Sequence, residues 1–295
     1  MTGTGRTQDD ASGLVRNLSN RSGVGIAAHV RQGQQLEILR ARVELSALIL
    51  VDRGVKAVKA DGRTVRARHG QAIVLSGNQT VDFTNSVVEG RDYEARWMLF
   101  DNSLIDDPDY AKRAAAIASS GRPLPMVRLL EHVPSTLATA FEAATQVLAA
   151  QATIPDAIAR LRLLEVMHWL LEAGVVLQRA DVDPTTAVRV RSQLAGRLDL
   201  DWTADRMAGE LAMSSATLRR RRRRRRRLAA EGTTFADLVV DARMSSALTL
   251  LQATSQSVAG IALLVGYESA SRFAIRFRQR FGFAPSAVRQ RERAR

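Results

Sequence analysis

Cysteine is absent from the 295 residues. That excludes a disulfide framework, a thiolate zinc site and a cysteine nucleophile, and it suits a reducing cytoplasm, the compartment expected here. Lysine is almost absent, with only Lys56, Lys59 and Lys112, so the basic charge is carried by arginine. Histidine is scarce: His29, His69, His132 and His168. Two histidines one residue apart with a glutamate shortly after would suit a metal site. His69 is followed by Gly70 and has no such companion. His168, beside Trp169 in an apolar stretch, reads as an interior or interface residue. No serine sits in a nucleophile elbow and no glycine-rich phosphate loop follows a strand. No catalytic residue, metal or cofactor is therefore expected. No uninterrupted apolar run is long enough to span a bilayer, so no membrane partner is expected. The opening "MTGTGRTQDDASG" is polar with two aspartates, unlike a signal peptide. Residues 1–20 read as a loose tail.

What is present is a globular composition, 46% hydrophobic and 25% charged, in a chain long enough for two domains. The net charge of +13 is unevenly placed. Residues 1–185 hold equal numbers of basic and acidic side chains, whereas residues 186–295 hold 22 arginines against 9 acids. A neutral module is joined to one suited to a polyanion.

The spacing of apolar residues separates the two. From about Leu36 to Phe100, "LEILRARV", "SALILVD", "GVKAVKA", "TVRAR", "QAIVL" and "YEARWMLF" read as short strands. Asp61-Gly62 between two of them suits a tight hairpin turn. The expectation is a small antiparallel β-barrel or sandwich. After Pro108 the spacing becomes helical, with Pro155 at a first turn. Ile158, Leu161, Leu164, Met167 and Leu171 form a stripe that needs a partner, either the barrel or a second copy in a homodimer. Residues 21–177 are expected to be one domain, "QRADVDPTT" (178–186) the linker, and residues 187–295 an all-helical second domain.

That second domain contains an echo. "WTADRMAGELAMSSATL" (202–218) and "SVAGIALLVGYESASRF" (257–273) each carry a hydrophobic–alanine pair, a short turn, a capping serine and an apolar anchor. Small alanines let helices cross closely, Gly266 permits a sharp turn, and a serine oxygen satisfies a free helix N–H. This is the logic of a helix-turn-helix, whose second helix can enter a major groove.

The stretch 242–289 carries the residues of a family pattern: Arg243, Ala247, Leu250-Leu251, Ile261-Ala262, Val265-Gly266-Tyr267, Ser269, Phe273, Phe277, Gly282, Pro285 and Arg289. In these it resembles the AraC/XylS family of bacterial transcription regulators, closely over about residues 190–290 and more loosely through the barrel, which is similar to a cupin-like sensor domain. The resemblance implies an α+β chain: an N-terminal cupin-like barrel with trailing helices, then two helix-turn-helix motifs joined by a linker helix. It implies sequence-specific binding to double-stranded DNA, activation through RNA polymerase, and a small-molecule effector.

By the same resemblance the DNA-reading residues are Ser215, Ala216, Arg219 and Arg220 in the first recognition helix. In the second they are Ser269, Ala270, Ser271, Arg272, Ile275 and Arg276, with Ser271 and Arg272 nearest the bases. Ile275 stands where the family often has a polar or basic reader. Phe273, Phe277 and Phe281 should be the buried side of that helix, with Arg272, Arg276 and Arg280 as a parallel basic row. Gly282 reads as its C-cap and Pro285 as the stop. Strand alternation alone offers Leu48, Leu50, Val74 and Trp97 as residues facing an effector pocket in the barrel.

Arg219 to Arg227 are nine consecutive arginines within the first motif. Against an "LRRRLAAEG" helix that is six residues too many. Six residues turn a helix by roughly 600°, a phase error of about 120°, so Leu218 and Leu228 lose their common face. The insertion is tolerated by bulging or extension, or it disables the first reading head, or it is a sequence artefact or repeat slippage. Two other classes stand beside the regulator reading. A cupin-type enzyme with a basic appendage would hold a metal. A non-specific nucleic-acid binder dominated by polyarginine would bind RNA and DNA alike without a footprint.

Overall fold

The computed structural model describes residues 18–33, 35–119, 124–178, 186–194, 197–213, 228 and 232–288. The chain opens with ten strands: β1 Leu18–Arg21, β2 Gly25–Gln32, β3 Leu36–Val43, β4 Ser46–Arg53, β5 Val55–Ala60, β6 Arg63–Ala67, β7 Ala72–Leu75, β8 Gln79–Ser86, β9 Tyr93–Phe100 and β10 Val127–Leu130. They form a six-stranded sheet in the order β1-β2-β9-β4-β7-β10 and a four-stranded sheet in the order β3-β8-β5-β6. Every pairing between them is antiparallel. Asp61 and Gly62 both have positive φ, 47° and 74°, so the β5–β6 hairpin has the turn that this dipeptide favours.

The larger sheet is buried on both faces. One face looks across to the smaller sheet, through Ala28, Val30, Ile49, Val51, Ile73, Leu75 and Tyr93. The other carries a helical layer made of α1 Asn102–Ile105, α2 Pro108–Ala118, α3 Ser135–Ala149 and α4 Asp156–Glu172. The expected stripe on α4 is divided. Leu164, Met167 and Leu171 enter the core, while Ile158 and Leu161 remain 45% and 62% exposed.

Strand β1 begins inside the segment read as a loose tail, and Arg21 holds it there. The guanidinium, 6% exposed, donates to Asp156 at 2.6 Å and to the carbonyl oxygen of Val147 at 3.1 Å. At the other end of this unit the Tyr110 hydroxyl accepts from the Leu177 N–H at 2.8 Å and donates to its carbonyl. Most of the segment read as a linker lies outside the described residues.

The helical remainder consists of α5 Thr186–Leu194, α6 Ala204–Glu210, α7 Phe235–Ala253, α8 Val258–Leu264, α9 Ala270–Phe281 and a 3₁₀ turn Pro285–Val288. A capping box starts α7: Asp237 N–H donates to Thr234 Oγ1 and Thr234 N–H to the Asp237 carboxylate. The C-terminal half of α7 seats on the strands. Met244, Leu248 and Leu251 pack with Leu36 and Ile38 of β3, and Ala253 enters the cluster between the two sheets. The two units thus share a core.

Candidate nucleic-acid interface

The second motif is α8, a turn, and α9. Ser257 caps α8 by accepting from Gly260 N–H at 3.0 Å, and Ile261 and Ala262 face inward. At the turn Gly266 has φ +82°. A Cβ there would press on the Leu198 carbonyl oxygen and lie 2.6 Å from Arg243 Nη2, so only glycine fits. The turn closes with Gly266 N–H to Leu263 O (2.9 Å) and Tyr267 N–H to Ala262 O (2.8 Å). Ser269 then caps α9 through Arg272 N–H at 3.4 Å, and Gly282 ends it at φ +83° with its N–H on Arg278 O.

The first motif repeats this geometry as far as the structure describes it. Thr203 caps α6 by accepting from Arg206 N–H at 3.1 Å, and Met207 and Ala208 are buried. Ala212 N–H bonds Gly209 O and Met213 N–H bonds Ala208 O, the same two turn bonds as at Gly266 and Tyr267. Ala212 supplies the left-handed residue, φ 52°, without being glycine. Ser215, Ala216, Arg219 and Arg220, and with them the whole arginine run, lie outside the described residues.

One motif residue joins the halves. Arg243 of α7 donates from Nη2 to Leu200 O, in the loop before α6, at 3.2 Å. Its guanidinium carbon lies 5.7 Å from the centre of the Tyr267 ring in the second turn, and Tyr267 meets Phe273 edge-on at 5.7 Å. Trp202 begins the first motif between Arg197 and Arg206, each 5.0 Å from its ring.

On α9, Phe273 and Phe277 are buried and Phe281 packs beside Phe277 with centroids 4.7 Å apart. Ala270, Ser271, Arg272, Ile275 and Arg276 are exposed on the outward side, with Ser269 half-buried at the cap. The expected three-arginine row is broken. A step of four residues overshoots a full turn by about 40°, so the row drifts round the helix and its third member turns back to the protein. Arg280 donates to Asp241 of α7 at 3.0 Å and to the carbonyl oxygens of Leu39 and Arg40 at 2.9 and 2.7 Å. Those carbonyls lie at a register shift of β3, where Arg40 has φ 54°. Arg278, which sequence reasoning did not single out, is exposed on the outward side instead.

The candidate effector residues divide. Leu48, Leu50 and Val74 face the helical layer, packed with α3 and α4 residues such as Phe141 and Leu163, and not the space between the sheets. Trp97 lines the inter-sheet side. Alternation could not distinguish the two faces because both are apolar on β4 and β7. The inter-sheet residues are their strand neighbours Ile49, Val51, Ile73 and Leu75. Three of the four histidines have ordinary structural partners: His29 pairs with Glu94 at 2.7 Å, His69 with the Asp52 carbonyl at 2.6 Å and His168 with Arg113 at 3.0 Å. Among the described residues no helix is long and apolar enough to cross a membrane.

Residues 207–291 match a family model described as a helix-turn-helix domain. Over 128 residues the chain is 30% identical to the HTH-type transcriptional regulator GadX of Escherichia coli K12, covering 43% of each chain. Over 109 residues it is 32% identical to the transcriptional regulator SirC of Salmonella typhimurium, covering 37% of this chain and 35% of that protein. It therefore spans less than half the length of these curated relatives. The fold of the whole chain is similar to that of ToxT from Vibrio cholerae, with a TM-score of 0.56 at 15% identity, covering 89% of this chain and 97% of ToxT.

Proposed function

We propose that the chain, whose residues 207–291 match a helix-turn-helix domain, is an AraC/XylS-type, cytoplasmic, sequence-specific DNA-binding transcriptional regulator, an effector-responsive activator. The observation that carries this reading is the repeated turn. The first helices of the two motifs have matching caps, their turns have matching hydrogen bonds, and Arg243 reaches from one turn to the loop before the other motif; two heads held together in this way can address successive major grooves.

The sensor unit supplies the responsive half of the proposal. A small-molecule effector would enter between the sheets, beside Trp97, Ile49 and Ile73, where Ala253 of α7 also packs. A ToxT structure from Vibrio cholerae holds an unsaturated fatty acid. An effector in this chain would act on α7 and, through it, on both motifs. Exposed Ile158 and Leu161 on α4 are the surface for a homodimer. RNA polymerase is the further partner of an activator.

The test is selection of bound sequences from random DNA, with footprinting and a salt titration. It is run on the full chain and on a form lacking six of the nine arginines. Both forms giving one footprint across two successive grooves means the insertion is tolerated. A two-groove footprint from the shortened form alone means the run disables the first head. The run itself steepens the salt dependence by about 0.9 in log–log slope for each phosphate it neutralises. No sequence preference in either form, with effector-free and extract-supplemented protein alike, sinks the regulator reading.

A further inference from the structure

The face of α9 opposite the phenylalanines has a composition that helix geometry makes specific. At about 100° per residue, Ile275 lies about 180° from the midpoint of Phe273 and Phe277, the farthest a side chain can point from the protein. It is 59% exposed. Arg272 and Arg276 flank it on one side and Arg278 on the other, all exposed. Its ridge neighbour one turn back is the small Ser271, and one turn on is Gln279, which accepts from Arg276 at 3.3 Å. A helix lying in a major groove with arginines on both flanks directs those arginines at the two phosphate walls. The residue midway between them then meets the base edges.

An isoleucine side chain has no donor or acceptor. Pressed against a guanine, adenine or cytosine edge it would strip water from polar groups and return nothing. The major groove contains one apolar group, the 5-methyl of thymine. Resting on the proposed DNA-binding reading, we propose that Ile275 is a specificity-determining residue that selects a thymine by contact with its 5-methyl group. Ser271 is small enough to let it approach, and Ser269, by capping α9, fixes the phase at which it enters.

The experiment uses the full chain and the duplex obtained by selection. Each thymine in the footprint is replaced in turn by deoxyuridine, which removes the methyl group and keeps every hydrogen-bonding atom. One thymine under α9 should show about a three- to fivefold loss of affinity on that replacement, the scale of one buried methyl. Ile275→Ala should bind the thymine and uracil duplexes equally while keeping its sensitivity at other positions. Because the side chain is exposed, its melting temperature should match that of the parent. No uracil-sensitive thymine beneath α9, or unchanged sensitivity in Ile275→Ala, overturns the assignment while leaving a sequence-specific regulator. Absence of any selected sequence overturns both, so the two failures are distinguishable.

Discussion

Lys56 is the residue whose environment is least like water. It is 7% exposed on β5, donates to Asn85 Oδ1 at 3.0 Å and lies 4.3 Å from the centre of the Phe83 ring. Asn85 donates in turn to Gln32, which also accepts from Gln252 of α7 at 3.3 Å, so the lysine ends a polar thread between the two units. Burial pushes its ammonium down to about 7. The unfolded chain keeps that proton up to about 10.4. Between these values the unfolded state binds more protons, so stability rises with pH; below 7 both states are protonated and the full cost of burying the charge is felt. From pH 7 to 9 the gain should be on the order of 2–3 kcal/mol, read as a rising urea midpoint. Lys56→Met should flatten that rise, and parallel profiles for the two proteins would assign it elsewhere. The burial of Lys56 was not legible beforehand, whereas the caps Ser269 and Gly282 and the buried Phe273 and Phe277 were. A lysine in "GVKAVKA" reads as a solvated strand residue, and the groups that enclose it, Asn85 and Phe83, come from β8, distant in sequence. Arg280 was misread for a related reason: a row drawn at every fourth residue ignores the slow rotation that brings it to Asp241.

At the scale of the element, the two turns make opposite predictions. Ala212 holds a left-handed conformation that costs an L-residue roughly 1–2 kcal/mol, part of which glycine would return as unfolded-state entropy. Ala212→Gly should therefore stabilise the chain by about 0.5–1 kcal/mol in denaturant titration, with the footprint unchanged. Gly266→Ala should destabilise by more than about 2 kcal/mol, since backbone strain is joined by the clash with Leu198 and Arg243. Equal effects at the two sites would mean that the turns are not equivalent in geometry. The echo was readable because a helix-turn-helix packs locally, and its small residues, caps and anchors lie within one short window. Strands β3 to β7 and β9 were readable from their apolar residues. Strand β8, "QTVDFTNS", was not: only Val81 and Asn85 along it are buried, so its sequence carries no alternation. Strand β2, rich in small residues, gave too little contrast, and doubly buried β4 and β7 gave no sign of which face met the helices.

For the whole molecule the decisive feature is the shared core. The charge asymmetry marked two modules in the sequence, but no spacing rule could show that Leu36 and Ile38 pack with Met244, Leu248 and Leu251 from the other end of the chain. A seam built this way makes the modules one folding unit over that interface, and it places α7 under the influence of both. Ile38 is 3% exposed within it, and Ile38→Ala should remove about 2–4 kcal/mol by transfer and cavity terms together. Trp202, in a separate cluster of the helix-turn-helix domain, reports on that domain when Trp97 and Trp169 are replaced by phenylalanine. In that background Ile38→Ala should lower the midpoint followed by Trp202 as much as the midpoint followed by strand circular dichroism. A Trp202 midpoint that stays put would show that the seam holds the units side by side without coupling them. An effector between the sheets would then have no path to the motifs through α7. A shared shift means that whatever stabilises the inter-sheet space also stabilises the helix that spaces the two motifs.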